Sequence, residues 1–115
     1  MNASEKGIPL ESVIVKAIMA WIRAQKYPFV YKTHGSAYQR SGIPDITLVA
    51  RGGRYVGLEV KRPQVGRLTA IQAATLNAIN RGGGYATVVT SVEEAMAALT
   101  AAEAGEKGRE DYRAP

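Results

Sequence analysis

The chain has 115 residues, 46% of them hydrophobic, enough for one domain with a core of its own and too few for two. Fifteen Lys and Arg against ten Asp and Glu leave a net charge of +5, which favours a polyanionic partner, and the absence of cysteine excludes disulfides, Cys-ligated zinc, iron–sulfur clusters and thiol nucleophiles. The apolar runs are far shorter than the roughly 20 residues that span a bilayer, and the opening MNASEKGIP lacks a signal-peptide pattern, so a soluble cytoplasmic protein with no membrane partner is expected.

Pro9 suits the first turn of a helix. Ile14, Ala17, Ile18, Trp21 and Ile22 then recur at helical spacing until Tyr27-Pro28 stops the run, which predicts a helix over about 10–26. On that helix Glu11 falls on the side of Ile14, Val15, Ile18 and Ile22, opposite Ser12, Lys16 and Arg23. A carboxylate therefore sits on or beside the core face, although a first-turn acid is also favoured there by the helix dipole. Residues 29–33 read as a strand and 34–42 as a polar loop. Residues 41–63, SGIPDITLVARGGRYVGLEVKRP, read as a hairpin. A second helix starts at Thr69, whose hydroxyl forms a capping box with Gln72, and ends in the glycine run before Tyr85. Residues 85–90 form another strand, and Ser91 with Glu94 caps a third helix running through Met96 and Leu99. The order is αβββαβα. Residues 1–100 make one domain, and 101–115, with almost nothing to bury, are expected to fray.

The hairpin has two possible registers. A two-residue Gly52-Gly53 turn mixes charges and aliphatics on both faces. A three-residue loop over 51–53 pairs Ile46 with Leu58 and Leu48 with Val56, making one face uniformly apolar. Asp45 then lies opposite Glu59, with Lys61 two residues further along. Facing carboxylates repel unless something positive sits between them, and a metal ion or a lysine meets that need. With Glu11 the cluster has three carboxylates and an ammonium, a donor set suited to Mg²⁺ or Mn²⁺.

Gly42-x-Pro44-Asp45, followed by Glu59-Val60-Lys61 and then by Leu68-Thr69-x-x-Gln72, resembles the VRR-NUC (virus-type replication-repair nuclease) family of the PD-(D/E)xK superfamily, over about 10–99. The resemblance implies a restriction-endonuclease-like αβββαβ core, a small mixed sheet flanked by helices. It implies Asp45, Glu59, the Val60 carbonyl and Glu11 as metal ligands, Lys61 as the residue that positions water or stabilises charge, and Gln72 as a supporting residue. Glu5 is a remote alternative to Glu11, and Gln72 has a second reading as a capping partner only. His34 lies outside the motif.

Arg40, Arg62 and Arg67 flank the motif halves and are candidates for holding DNA phosphates. Tyr38 is a candidate for stacking on an unpaired base, and Lys32 either points into the groove or is solvated. Read as a stand-alone domain, the chain gains selectivity for branched DNA most simply as a homodimer, which suits symmetric cleavage of a four-way (Holliday) junction. The alternatives are a less selective nuclease of phage or plasmid metabolism and a catalytically inactive nucleic-acid-binding module.

Overall fold

The computed structural model describes residues 7–34 and 40–115. Its elements are α1 (Glu11–Ala24), β1 (Val30–Lys32), β2 (Ile46–Val49), β3 (Tyr55–Val60), α2 (Ala70–Arg81), β4 (Tyr85–Val89) and α3 (Val92–Glu103), in the αβββαβα order. They form a mixed four-stranded sheet, β1-β2-β3-β4, flanked by helices. The first three strands are antiparallel, and β4 runs parallel to β3 because α2 carries the chain back across the sheet. No described helix is long and apolar enough to cross a membrane.

The hairpin adopts the register that segregates its side chains. Ile46 pairs with Leu58 and Leu48 with Val56. Ala50 N–H donates to Arg54 O at 2.9 Å, and the connecting loop is closed by Gly53 N–H donating to Ala50 O. Gly52 and Gly53 both have φ near +100°, at 98° and 96°, a region that side-chain-bearing residues rarely adopt. The apolar face of β2 and β3 packs against Ile14, Ile18 and Ile22 of α1 and against Ala95, Ala98 and Leu99 of α3. On the opposite face α2 packs over β3 and β4.

Two side chains join the ends of these layers. Arg54 donates through Nε to Gly83 O, through Nη1 to Ala102 O and through Nη2 to Gly84 O, tying the hairpin loop to the ends of α2 and α3. The Glu103 carboxylate accepts from the Tyr27 hydroxyl at 2.7 Å and from Arg51 N–H at 3.0 Å, while the Arg51 guanidinium lies 4.3 Å from the Tyr27 ring centroid. Such charged donors to backbone carbonyls fix the layers without needing an opposite charge.

The α2 capping box forms as expected, with Thr69 and Gln72 bonding reciprocally. The α3 box forms by half. Ser91 Oγ accepts from Glu94 N–H, but the Glu94 carboxylate turns back to Thr90, whose N–H and hydroxyl both reach it, at 2.6 and 2.8 Å. Thr90 offers two donors where the Ser91 N–H would offer one.

The expectation that 101–115 frays needs correction. α3 runs on to Glu103, and the segment beyond it returns along α2 and β4. Asn77 holds the Tyr112 backbone at both its N–H and its carbonyl, Asn80 donates to Arg109 O, and the Tyr112 hydroxyl meets Thr87 Oγ1. Backbone hydrogen bonding, which composition does not report, holds a segment that has little apolar surface.

Replacing Arg54 by Ala removes all three carbonyl contacts at once. Urea unfolding of Arg54→Ala is expected to show a loss of about 2 kcal/mol, larger than for an ordinary surface substitution.

Candidate active site

Each residue of Gly42-x-Pro44-Asp45 is held where it is for a steric reason. Gly42 has φ 83°, and a Cβ there would come within 3.0 Å of Ile71 O and Thr75 Oγ1, so the loop lies hard against α2. Pro44 is fully buried and sits on Gly57 of β3, where a Cβ would approach Pro44 Cγ to 2.9 Å. Thr33 fastens the other side: its hydroxyl donates to Pro44 O at 2.7 Å and its N–H to Asp45 O at 2.8 Å. Asp45 is thereby delivered to the end of β3, where its Oδ2 accepts from Val60 N–H at 2.7 Å. That bond occupies one carboxylate oxygen and sets the direction of the other.

Glu59 faces Asp45 from β3 and is only 1% exposed. Gln72 Nε2 donates to Glu59 Oε2 at 3.4 Å, and Lys61 Nζ lies 3.8 Å from the same oxygen, beyond hydrogen-bond reach. Glu59 Oε1 is buried with no partner among the described residues. Burial first, and then hydrogen bonding to and repulsion from Asp45, push the Glu59 carboxyl up to about 9, with Glu11 adding in the same direction. Lys61 opposes the shift but does not cancel it. Without a further cation the site therefore keeps Glu59 protonated at neutral pH. Glu11 also titrates high, through burial first and then through Asp45, with Lys61 opposing.

Lys61 is kept close by the turn that follows it. Gly66 N–H donates to Arg62 O, and a Cβ at Gly66 would come within 2.8 Å of Lys61 Cβ, so only glycine lets the chain fold back over the lysine. The lysine side chain is 13% exposed as a result.

Two hollows flank this cluster. One, about 200 Å³, is lined by Glu11, Asp45, Lys32 and Thr33. The other, about 660 Å³, includes Lys61, Arg62 and Arg67 in its wall. Among the described residues no three His, Cys, Asp or Glu side chains close into a ready-made metal cage. The donors nevertheless suit a hard divalent ion: Asp45 and Glu59 with Glu11 alongside, all oxygen, and a buried Glu59 Oε1 with nothing to accept from.

The remaining expected residues divide. Lys32 borders the hollow beside Asp45 and is solvent-exposed, which leaves both of its readings standing. Arg62 is tied through Nε to Pro9 O and through Nη2 to Ile8 O, and Arg67 Nη1 bonds Gln64 O and Gly66 O. The carbonyls that hold Arg67 leave its positive charge intact. Arg40 is exposed, His34 stands edge-on to Tyr31 with ring centroids 6.4 Å apart, and Tyr38 and Glu5 lie outside the described residues. Gln72 caps α2, and its amide also donates to Glu59. Thr33 was not foreseen, because a threonine ending a strand carries no local mark of the two bonds it makes across the sheet.

The fold and this cluster together define a small mixed-sheet α/β domain with carboxylates and a lysine gathered at the open end of a hairpin. Among solved structures, one described as a VRR_NUC domain protein superposes with a TM-score of 0.69, covering 87% of this chain and 93% of that one at 15% identity. The likeness establishes a shared fold, the one the sequence motifs pointed to. No protein-family model and no curated protein sequence matches the chain.

The Glu59 shift has a stability consequence of definite sign. Its carboxyl titrates near 4.5 in the unfolded chain and near 9 when folded, so the folded state binds the proton more tightly. That contribution is complete below about 4.5 and is lost as pH rises towards 9. The chelated wild type is expected to melt at progressively lower temperature between pH 5 and 9, whereas Glu59→Gln, permanently neutral, melts higher than wild type at pH 8. Equal pH profiles for the two in thermal scans would contradict the assignment.

Proposed function

We propose that this protein is a metal-dependent, structure-specific DNA endonuclease that hydrolyses phosphodiester bonds and works as a homodimer on four-way junctions. The observation that carries the reading is the meeting of Asp45, Glu59 and Lys61 at one end of the hairpin, on a fold shared with a VRR_NUC domain protein. Asp45, Glu59, the Val60 carbonyl and Glu11 would hold Mg²⁺ or Mn²⁺, with Gln72 supporting Glu59. When bound, the ion supplies Lewis-acid polarisation of a phosphoryl oxygen and a lowered pKa for the attacking water.

The chain's own groups account for the rest. Glu59 must give up its proton to become a ligand, so cation binding and proton release are coupled at this site. Val60 N–H keeps Asp45 oriented while that happens. Lys61, confined under the 62–66 turn, is placed to offset the charge that develops on the phosphoryl oxygens in the transition state. Lys32, Arg40, Arg62 and Arg67 supply positive charge around the cluster for the DNA backbone, and Tyr38 is assigned to base stacking.

Homodimerisation is supported by the half of the sheet that α2 leaves uncovered. Phe29, just before β1, Tyr31 of β1, Val49 of β2 and Tyr55 of β3 are exposed there, at 52%, 44%, 38% and 37%. A neighbouring group of large apolar side chains is what a second copy would bury.

Cleavage of a labelled four-way junction in Mg²⁺ is expected to fall by about 10²-fold or more in Asp45→Asn and in Lys61→Ala and to stop in chelator. Undiminished cutting by either variant would sink the catalytic assignment. Equal rates on junctions, flaps, single strands and duplexes would remove the junction specificity, and a monomer in sedimentation at working concentration would remove the dimer.

A further inference from the structure

The larger hollow beside Lys61 has a second wall made by the C-terminal segment. Arg113, Tyr112, Asp111 and Arg109 line it across from Lys61 and Arg67. The segment is anchored for this position and is not merely lying on the surface. Asn80 is 8% exposed and bonds two backbones at once, accepting from Ala86 N–H at 2.7 Å and donating to Ala86 O and Arg109 O. Gly108 fits against Asn80 so closely that any Cβ would overlap the amide. Asn77 grips Tyr112 at 2.8 and 2.9 Å through its two amide atoms.

Within the segment the charges are sorted. Arg109 donates to Asp111 at 2.9 Å and stacks 4.4 Å from the Tyr112 ring centroid, so that pair is internally neutral and the ring is braced. Arg113, whose charge also reaches Asp111, is the second cation of the segment. Across the groove, Arg67 is held by two carbonyls that fix its position and leave its charge intact. The hollow therefore presents Lys61, Arg67 and Arg113 around one open channel of about 660 Å³, in whose lining the Asp111 carboxylate is paired with Arg109.

From this geometry we infer that the docked C-terminal segment is a strand-binding wall: the groove between Arg113 and Arg67 seats the phosphodiester backbone of one DNA strand and leads it onto Lys61. The inference rests on the nuclease reading for its substrate and adds to it a binding surface made by residues outside the motif. Arg67, fixed by carbonyls, and Arg113, carried on an anchored backbone, neutralise neighbouring phosphates with less side-chain entropy spent on finding them. Asn77 and Asn80 are then positioning residues, acting through the backbone they hold.

The test measures binding apart from cutting, by fluorescence anisotropy of a labelled single strand and a labelled junction with chelator present, and cutting separately in Mg²⁺. With the full chain in about 0.15 M salt, Arg113→Ala is expected to weaken DNA binding about fivefold and to lower the slope of log K against log salt by about 0.9 on a duplex-armed junction. Arg113→Lys should restore most of the affinity. Asn77→Ala, which removes no charge, should weaken binding as the wall is released, while Arg23→Ala, the same charge change on exposed α1 outside the groove, should bind as wild type does. Thermal melts of each variant verify that the domain stays folded at the assay temperature. If Arg113→Ala and Asn77→Ala bind like wild type while junctions are still cut, the wall is overturned and the nuclease reading stands. If they weaken binding but wild type cuts nothing in Mg²⁺ or Mn²⁺, the wall stands and the nuclease reading falls. Wild type that binds no DNA overturns the wall as well.

Discussion

Pairing Ile46 with Leu58 brings two carboxylates face to face. The core demands that register, because any shift by one residue turns the aliphatics of β2 and β3 away from α1 and α3. The same register sets Asp45 against Glu59, so the hydrophobic face imposes the electrostatic cost on the other. The Asp45 bond to Val60 N–H, the Gln72 amide and the nearby Lys61 each reduce that cost in part. None satisfies Glu59 Oε1, and the carboxyl is held protonated at neutral pH. A carboxyl shifted this far by burial and a facing carboxylate marks a functional-site candidate.

The surrounding elements can be understood as supports for that pair. Gly42 and Gly57 admit close contacts that fix Pro44, and Thr33 bonds both sides of the Pro44-Asp45 link. Gly66 lets the chain close over Lys61. At the opposite end of the sheet, Arg54 and Glu103 bind loop to helix ends, so the hairpin is anchored at its turn and its charged end is fixed by leverage through a rigid sheet. Precision at the site comes from contacts spread over the whole domain.

Helix and strand order, the hairpin register and the Asp45, Glu59, Lys61 cluster were legible because each depends on local periodicity or on a pairing that one turn length determines. Gln72 was legible twice over, since the capping box and the motif both marked it. Thr33, Asn80 and the groove wall were not. Asn80 continues the buried stripe of Ala73 and Leu76, and a lone amide in an apolar stripe signals a backbone partner, but nothing local says that the partner is a segment almost 30 residues away. The same blindness produced the expectation that 101–115 would fray: low apolar content says how little the segment can bury, and hydrogen-bonding capacity does not appear in composition.

Sequence alone thus determined the fold class and the chemistry of the hairpin, because periodicity and turn geometry act within a few residues and the aliphatic face left one register standing. Only the tertiary structure decided how that chemistry is framed. Whether Arg62 and Arg67 are fixed by carbonyls, whether Glu59 is satisfied, and which residues face Lys61 across the groove all depend on where distant backbones come to rest, and dense packing settles that for the whole domain at once.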